Sequence, residues 1–172
     1  MMRVVVDDVG FLPADAIVRP TTTRLDPTAA ALRRLETMGG PEFHARLRLT
    51  RELPVGAAVV TAAGGDLPAE FVIHAVISSE TEPVTRGSVT RAWRSALQQA
   101  QEWQFKHLSV PPIGTGAGNL SIEDAAEIMA TVLQVHRKTA AFPADVSFVV
   151  EKPEDHAVFE AALRRAAALG EA

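Results

Sequence analysis

Three glycines stand within five residues, at Gly114, Gly116 and Gly118, between an apolar run and a segment with helical periodicity. Glycine has no side chain to pack, so this spacing favours a loop that needs close backbone access. Consecutive peptide N–H groups in such a loop can form a nest for an anion, and a helix starting at Ser121 would point its positive end the same way. The stretch predicts a phosphate-binding loop or, alternatively, a tight strand-to-helix turn without a ligand.

Two common phosphate motifs do not fit this loop. A P-loop has Lys followed by Ser or Thr after the glycines, and the dinucleotide-binding fingerprint is GxGxxG, whereas this spacing is GxGxG. The chain has no cysteine, and its five histidines show neither HxxxH nor HExxH spacing. We therefore predict no metal site and no cofactor.

Composition narrows the class of partner. The net charge is −4 and no basic run is present, which argues against nucleic acid as a partner while leaving a single nucleotide open. No apolar run approaches the length of a membrane span or a secretion signal, so we expect a cytoplasmic protein with no membrane partner. The length of 172 residues predicts one domain over residues 1–172, with a core from about 3 to 169.

Short β-rich runs and helical patterns alternate along the chain. Strands are predicted at 3–6, 16–18, 57–61, 71–77, 108–110 and 146–150, and helices at 27–38, 88–103, 121–136 and 154–169. Residues 41–53 are ambiguous and could form another short helix. The alternation predicts an α/β domain whose largely parallel sheet is covered on both faces. Ligands of such sheets bind beyond the carboxyl ends of the strands, where the glycine loop would lie.

Three stretches together resemble a macrodomain, the ADP-ribose-binding α/β/α module. They are VVVDDVGFLPADAIV at 4–18, VGAAVVTAAGGDLPAEFVIHAV at 55–76 and LSVPPIGTGAGNLS at 108–121. The resemblance implies a three-layer α/β/α fold with a central mixed, largely parallel six-stranded sheet. It also implies a small-molecule ligand, ADP-ribose or a related nucleotide diphosphate, and an ADP-ribosylated protein as a further possible partner.

The resemblance also implies site residues. Asp8 would accept a hydrogen bond from the adenine amino group, and the backbone of Val9 would face the base; without the resemblance, Asp8 could be a solvated turn residue. The loop around the diphosphate would consist of Gly114, Thr115, Gly116, Ala117 and Gly118. His74, in a buried strand pattern, is interpreted as a hydrogen-bonded core histidine rather than a catalyst.

The chain departs from the family pattern in its first half. Where macrodomains have DAIVNAAN this chain has DAIVRPTT, so that Arg19 and Thr22 replace the first and last asparagines. In hydrolytic members the last asparagine orients the terminal ribose, and the shorter Thr22 hydroxyl would alter that positioning. The family's first glycine-rich loop is replaced by LDPTAAALRR at 25–34.

Two arginines occur in the part of the sequence where the resemblance would place backbone amides in contact with the ligand. Arg19 and Arg24 could be solvated, could clamp a phosphate, or could pair with Asp8 or Asp26 and close the site. We include Arg19 and Thr22 among the predicted ligand-binding residues.

Three functions remain open at this point. The preferred one is a binder of ADP-ribose or a related nucleotide that lacks efficient catalysis, and the second is a scaffold that has lost the ligand. The third is an ADP-ribosyl hydrolase in which Asp26 or His44 would act as base, although neither lies in a recognisable catalytic motif. No catalytic residue is assigned.

Overall fold

Six strands form one sheet in the computed structural model, which describes residues 1–28, 30–49, 51–116 and 119–170. They are β1 (Met2–Val6), β2 (Ala14–Thr22), β3 (Ala58–Ala62), β4 (Ala69–Ser78), β5 (His107–Val110) and β6 (Asp145–Val150). The order across the sheet is β1-β6-β5-β2-β4-β3. Only the β3–β4 pairing among the described strands is antiparallel. The predicted mixed, largely parallel six-stranded sheet is confirmed.

Helices cover both faces of the sheet and complete the three predicted layers. The helices are α1 (Ala30–Leu49), α2 (Arg86–Trp103), α3 (Ile122–Arg137) and α4 (Pro153–Gly170). Successive side chains of a strand point to opposite faces. Ile17 and Val72 accordingly pack with α1, whereas their neighbours Val18 and Ile73 belong to the larger core beneath α2, α3 and α4.

The helix α1 is kinked at Gly40, which has φ 68° and ψ −165°. Glycine adopts a positive φ without the steric cost that a Cβ would bring, and proline is favoured at the first position of the helical segment that follows. The expected stop at Gly39-Gly40 therefore separates two helical segments, and the ambiguous stretch after Pro41 is helical as far as Leu49.

The expected start of the first helix at Pro27 is wrong. Pro27 forms an isolated antiparallel bridge with Thr21, and the Thr22 N–H donates to the Asp26 carbonyl over 3.1 Å. These contacts make residues 22–27 a tight turn against the end of β2. The helix starts only at Ala30.

A buried charge joins α1 to the sheet. Arg19 on β2 is fully buried and forms an ion pair with Glu36 on α1. Its Nη2 also donates to the Leu25 carbonyl over 2.7 Å, and its Nη1 lies 3.2 Å from the Thr21 hydroxyl. Burial lowers the pKa of the Arg19 guanidinium, and the charge of Glu36 opposes that shift. The strand, the turn and the helix are therefore tied through one side chain.

His74 on β4 completes this network as a neutral ring. Its Nδ1 lies 3.3 Å from Arg19 Nη1, which can only donate, and its Nε2 lies 2.8 Å from the Thr61 hydroxyl. The Nδ1 atom therefore accepts, and the proton resides on Nε2. Burial first, and the Arg19 charge second, lower the pKa of His74 to about 3.

We expect the free energy of unfolding to depend on His74 in mild acid. The folded-state pKa of His74 lies below the ordinary histidine value of 6.5, so the unfolded chain binds the proton first and this contribution to stability is lost as the pH falls below 6.5. Urea denaturation measures the free energy of unfolding at pH 7.5 and at pH 5.5. The decrease in this free energy between the two pH values should be about 1.4 kcal/mol larger for the native protein than for His74→Gln. Equal decreases would contradict the neutral, buried assignment.

We expect the ion pair of Arg19 to be costly to break from one side. Glu36→Gln leaves a buried guanidinium without its counter-charge and should lower the free energy of unfolding by about 3 kcal/mol in urea denaturation. Glu42→Gln is the matched control, because Glu42 on the same helix is 75% exposed. It should change stability by about 0.5 kcal/mol or less. Similar losses of unfolding free energy in both variants would contradict the importance of Glu36 as the counter-charge of Arg19.

Candidate ligand-binding site

Five parallel strands end at one edge of the sheet, and the chain leaves that edge in two directions. The segment after β2 leads to α1 on one face, whereas the segments after its neighbours β4 and β5 lead to α2 and α3 on the other. Such a reversal opens a crevice where ligands of α/β sheets bind. One cavity lies near the ends of β1, β5 and β6, and another lies near the ends of β2 and β4.

The first cavity, here called the glycine-loop cleft, brings together two predicted ligand-binding residues, Val9 and Thr115. Its volume is about 150 Å³. Ligand pockets usually measure about 300–1,000 Å³, so the cleft as it stands accommodates only part of a dinucleotide. The lining residues are Asp7, Val9, Pro111, Pro112, Thr115, Ile122, Val149, Glu151, Lys152 and Asp155.

The glycine loop begins with a residue that must be glycine. Gly114 has φ +94°, and a Cβ there would lie 2.8 Å from Val89 Cγ2 and 2.9 Å from Leu120 Cδ1. The Leu120 N–H donates to the Gly114 carbonyl over 3.2 Å and closes the loop. Gly116 is exposed, and the predicted site residues Ala117 and Gly118 lie outside the described residues.

The helix after the loop begins as predicted. Ser121 caps α3, its hydroxyl accepting from the Asp124 N–H over 3.1 Å. Ile122, the first residue of α3, lines the glycine-loop cleft. The N-terminal end of a helix dipole therefore lies at this cleft, which favours an anionic group there.

Asp8 lies beside the glycine-loop cleft, between the lining residues Asp7 and Val9, and both of its oxygens have partners. Oδ1 accepts from the Gly10 N–H over 2.9 Å, and Oδ2 accepts from Arg34 Nε over 2.8 Å. Arg34 also pairs with Glu151, whose side chain lines the cleft. Hydrogen bonds to Asp8 and then to Glu151 raise the pKa of Arg34. The arginine that pairs with Asp8 is thus Arg34, not Arg19 or Arg24.

Arg19 is placed in the interior, although sequence reasoning included it among the ligand-binding residues. Its side chain is fully buried, with Glu36, the Leu25 carbonyl and the Thr21 hydroxyl as partners. A direct contact with a ligand would require the guanidinium to leave these groups.

Thr22 lines the second cavity, not the glycine-loop cleft. Its hydroxyl accepts from the backbone N–H groups of Arg24 over 3.3 Å and Asp26 over 3.2 Å, so it stabilises the turn after β2. This cavity measures about 710 Å³, and carboxylates outnumber basic groups in its wall. Its charged lining residues are Arg24, Asp26, Glu52, Glu80 and Glu82. The predicted site residues are therefore divided between two cavities.

The two residues considered as candidate bases do share a cavity. Asp26 and His44 line a third space of about 260 Å³ together with Glu36, the partner of Arg19. Across residues 1–28, 30–49, 51–116 and 119–170, no group of three or more His, Asp or Glu side chains is arranged to hold a metal ion. No helix in those ranges is long and apolar enough to cross a membrane.

Sequence reasoning missed Arg34, Glu36 and Glu151. Arg34 and Glu36 lie within the predicted first helix, and Glu151 follows the last predicted strand. The period of the helix indicates which face meets the sheet, but not how the kinked α1 crosses it. The available signal for Glu151 was its position directly after β6, at the edge where ligands bind.

Comparisons with other proteins agree with this fold and topology. The Macro domain family matches residues 18–129 of the chain. A macro domain-containing protein of Caldanaerobacter subterraneus is 30% identical over 159 residues, which cover 86% of this chain and 87% of that protein. An uncharacterized protein of Mycobacterium tuberculosis is 33% identical over 130 residues, 76% of this chain. The aligned region is 36% of that protein, so the chain spans only about a third of this relative's length.

Solved structures show the same fold. The Oceanobacillus iheyensis macrodomain with ADP has a TM-score of 0.83 and 23% identity, covering 96% of this chain and 91% of its own. The Trypanosoma brucei macrodomain in complex with ADP-ribose also has a TM-score of 0.83, with 19% identity and coverage of 94% of this chain and 68% of its own. With the match to the family and the relatives at 30% identity or more, these similarities establish that the chain belongs to the macro domain family.

Proposed function

We propose that this chain binds ADP-ribose or a related nucleotide diphosphate and does not turn it over efficiently. The observation that carries the proposal is the glycine-loop cleft, where Val9 and Thr115 meet beside Asp8 at the carboxyl ends of the strands. The Trypanosoma brucei macrodomain of the same fold was solved in complex with ADP-ribose, which supports this ligand class.

The proposed ligand contacts follow the path of the cleft. Asp8 accepts from the adenine amino group, and the backbone of Val9 faces the ring. The loop from Gly114 to Gly118, including Thr115, Gly116 and Ala117, donates to the diphosphate, where the start of α3 adds a favourable dipole. Beyond the cleft, the terminal ribose would extend towards the second cavity, which Thr22 lines. We assign Arg19 to supporting the turn that carries Thr22, because its guanidinium is fully buried and is bonded to the Leu25 carbonyl, the Thr21 hydroxyl and Glu36.

Two features of the site argue for weak binding. The cleft has about 150 Å³, so ligand entry must widen it and break contacts that stabilise the free form. Carboxylates from Asp7, Glu151 and Asp155 also line its wall, with Lys152 as the basic residue among the lining groups. An anionic ligand gains less there than it would in a basic cleft.

A scaffold without a ligand is the second candidate. It is favoured by the small cleft and by the ion pair that already occupies Asp8. We further propose a cytoplasmic location, which fits either function, and an interaction with ADP-ribosylated proteins, which fits the binder.

We predict weak binding of ADP-ribose that depends on the glycine loop. Isothermal titration calorimetry should give a dissociation constant of tens of micromolar or weaker, a binding free energy of roughly −6 kcal/mol. Gly116→Glu should abolish binding because it adds a negative charge where the diphosphate lies. Gly116→Gln matches its size without the charge and should weaken binding less.

Controls keep this test specific. Asp8→Ala should weaken AMP binding more than Gly116→Glu does, since AMP has the base but no diphosphate. The two Gly116 variants should keep the thermal unfolding midpoint of the native protein, because Gly116 is exposed. Asp8→Ala should lower the midpoint by a few degrees, because it removes the acceptor of the Gly10 N–H and the partner of Arg34. Absence of binding at millimolar ADP-ribose would reject the proposed binding function, and the scaffold without a ligand would remain as the candidate function.

We predict that hydrolysis of ADP-ribosylated protein or of O-acetyl-ADP-ribose is absent or very slow. The Thr22 hydroxyl already accepts two backbone N–H groups, and a misplacement of about 1 Å costs on the order of a hundredfold in rate. Release of ADP-ribose should therefore stay near background, and Thr22→Asn alone should not restore it.

The contrary outcome is also informative. Turnover comparable to that of an active hydrolase assayed in parallel would reject this prediction and would favour the ADP-ribosyl hydrolase as the function. Asp26→Asn and His44→Gln would then test the two acid–base candidates of the third cavity separately.

A further inference from the structure

We propose that Arg34 determines access to the adenine site by competing with the base for Asp8. A ligand would then have to displace an arginine of the protein before the adenine amino group could bond to this carboxylate. The inference rests on the proposed function, since it assigns a regulating residue to that same site.

The competition is for one particular oxygen. Asp8 Oδ1 is held by the Gly10 N–H within its own turn, at 2.9 Å. Oδ2 is the oxygen that faces Arg34, whose Nε lies 2.8 Å away. The Asp8 side chain is 17% exposed, so little of the carboxylate remains open while Arg34 is in place.

Arg34 has a second contact, which places its guanidinium at the edge of the cleft. Its Nη2 pairs with Glu151, which follows β6, while Nε pairs with Asp8, which follows β1. Glu151 also lines the glycine-loop cleft. One guanidinium thus links the ends of two neighbouring strands at the place where the base would enter.

This pairing is weak enough to exchange. The Arg34 side chain is 51% exposed, and exposed ion pairs contribute little because water and salt compete for both partners. A displaced guanidinium would remain solvated, and Glu151 could retain it. Arg19 differs, because it is fully buried and water cannot replace its partners.

The test uses adenosine, which has the base but no phosphate charge that Arg34 could attract. Arg34→Gln removes the competitor, so its affinity for adenosine in an NMR titration should be about two- to fivefold higher than that of the native protein. Arg33→Gln is the matched control. Arg33 is the preceding residue of α1, is exposed, and its guanidinium has no ion pair among the described residues. It should leave the affinity unchanged.

Ionic strength gives an independent readout. Between about 50 and 500 mM salt the Arg34 ion pairs weaken, so the native protein should bind neutral adenosine more tightly at high salt. Arg34→Gln should show no such gain. Thermal unfolding of each variant checks that the fold is retained.

The outcomes separate this inference from the proposed function. If the native protein binds ADP-ribose but Arg34→Gln gains no affinity for adenosine, the competition is rejected and the binder stands. An equal gain in Arg33→Gln rejects it too, because a general charge effect would then suffice. If neither the native protein nor Arg34→Gln binds adenosine or ADP-ribose, both proposals fail together.

Discussion

The buried guanidinium of Arg19 is the constraint on which the site half of this fold depends. A charge without solvent is tolerated only where hydrogen bonds and a counter-charge replace water. Glu36, the Leu25 carbonyl and the Thr21 hydroxyl provide them, and His74 must stay neutral beside the charge. The position of α1 and the shape of the turn after β2 are consequences of meeting that demand.

That constraint explains why the two halves of the site differ. After β5, Thr115 of the glycine loop lines the cleft, and the preceding Gly114 has a positive φ and no room for a Cβ beside Val89 and Leu120. After β2, the chain forms a tight turn whose Leu25 carbonyl accepts a hydrogen bond from Arg19. The Thr22 hydroxyl in this turn accepts from two backbone N–H groups. In the proposed binding mode the loop after β5 would donate to a ligand, whereas the Thr22 hydroxyl after β2 is already bonded within the chain. The division of the predicted residues between two cavities follows.

The sequence predicted what depends on local pattern. Apolar runs located every strand and most helix bounds within a few residues, and Gly39-Gly40 marked the kink in α1. It could not predict pairings set by tertiary packing. Strand alternation puts Arg19 on the face of Ile17, but its partner Glu36 lies on another element. Pro27 looked like a helix start because Asp26-Pro27 is typical of one, and the pattern does not show that Pro27 bridges to Thr21 instead. The Asp8–Arg34 pair needs the crossing of α1 over the sheet, which no periodicity encodes.

Two of the arginines that pair with acids at this end of the molecule, Arg19 and Arg34, have different roles. Arg19 has no exposure, so its partners can be exchanged only by exposing or abandoning a charge in the interior. Arg34 is half exposed, and water can take the place of Asp8 or Glu151 with little penalty. The turn and α1 can therefore remain fixed while the contact at the cleft changes. In the proposed binding mode a ligand would meet this fixed frame and would replace Arg34 with its base at Asp8.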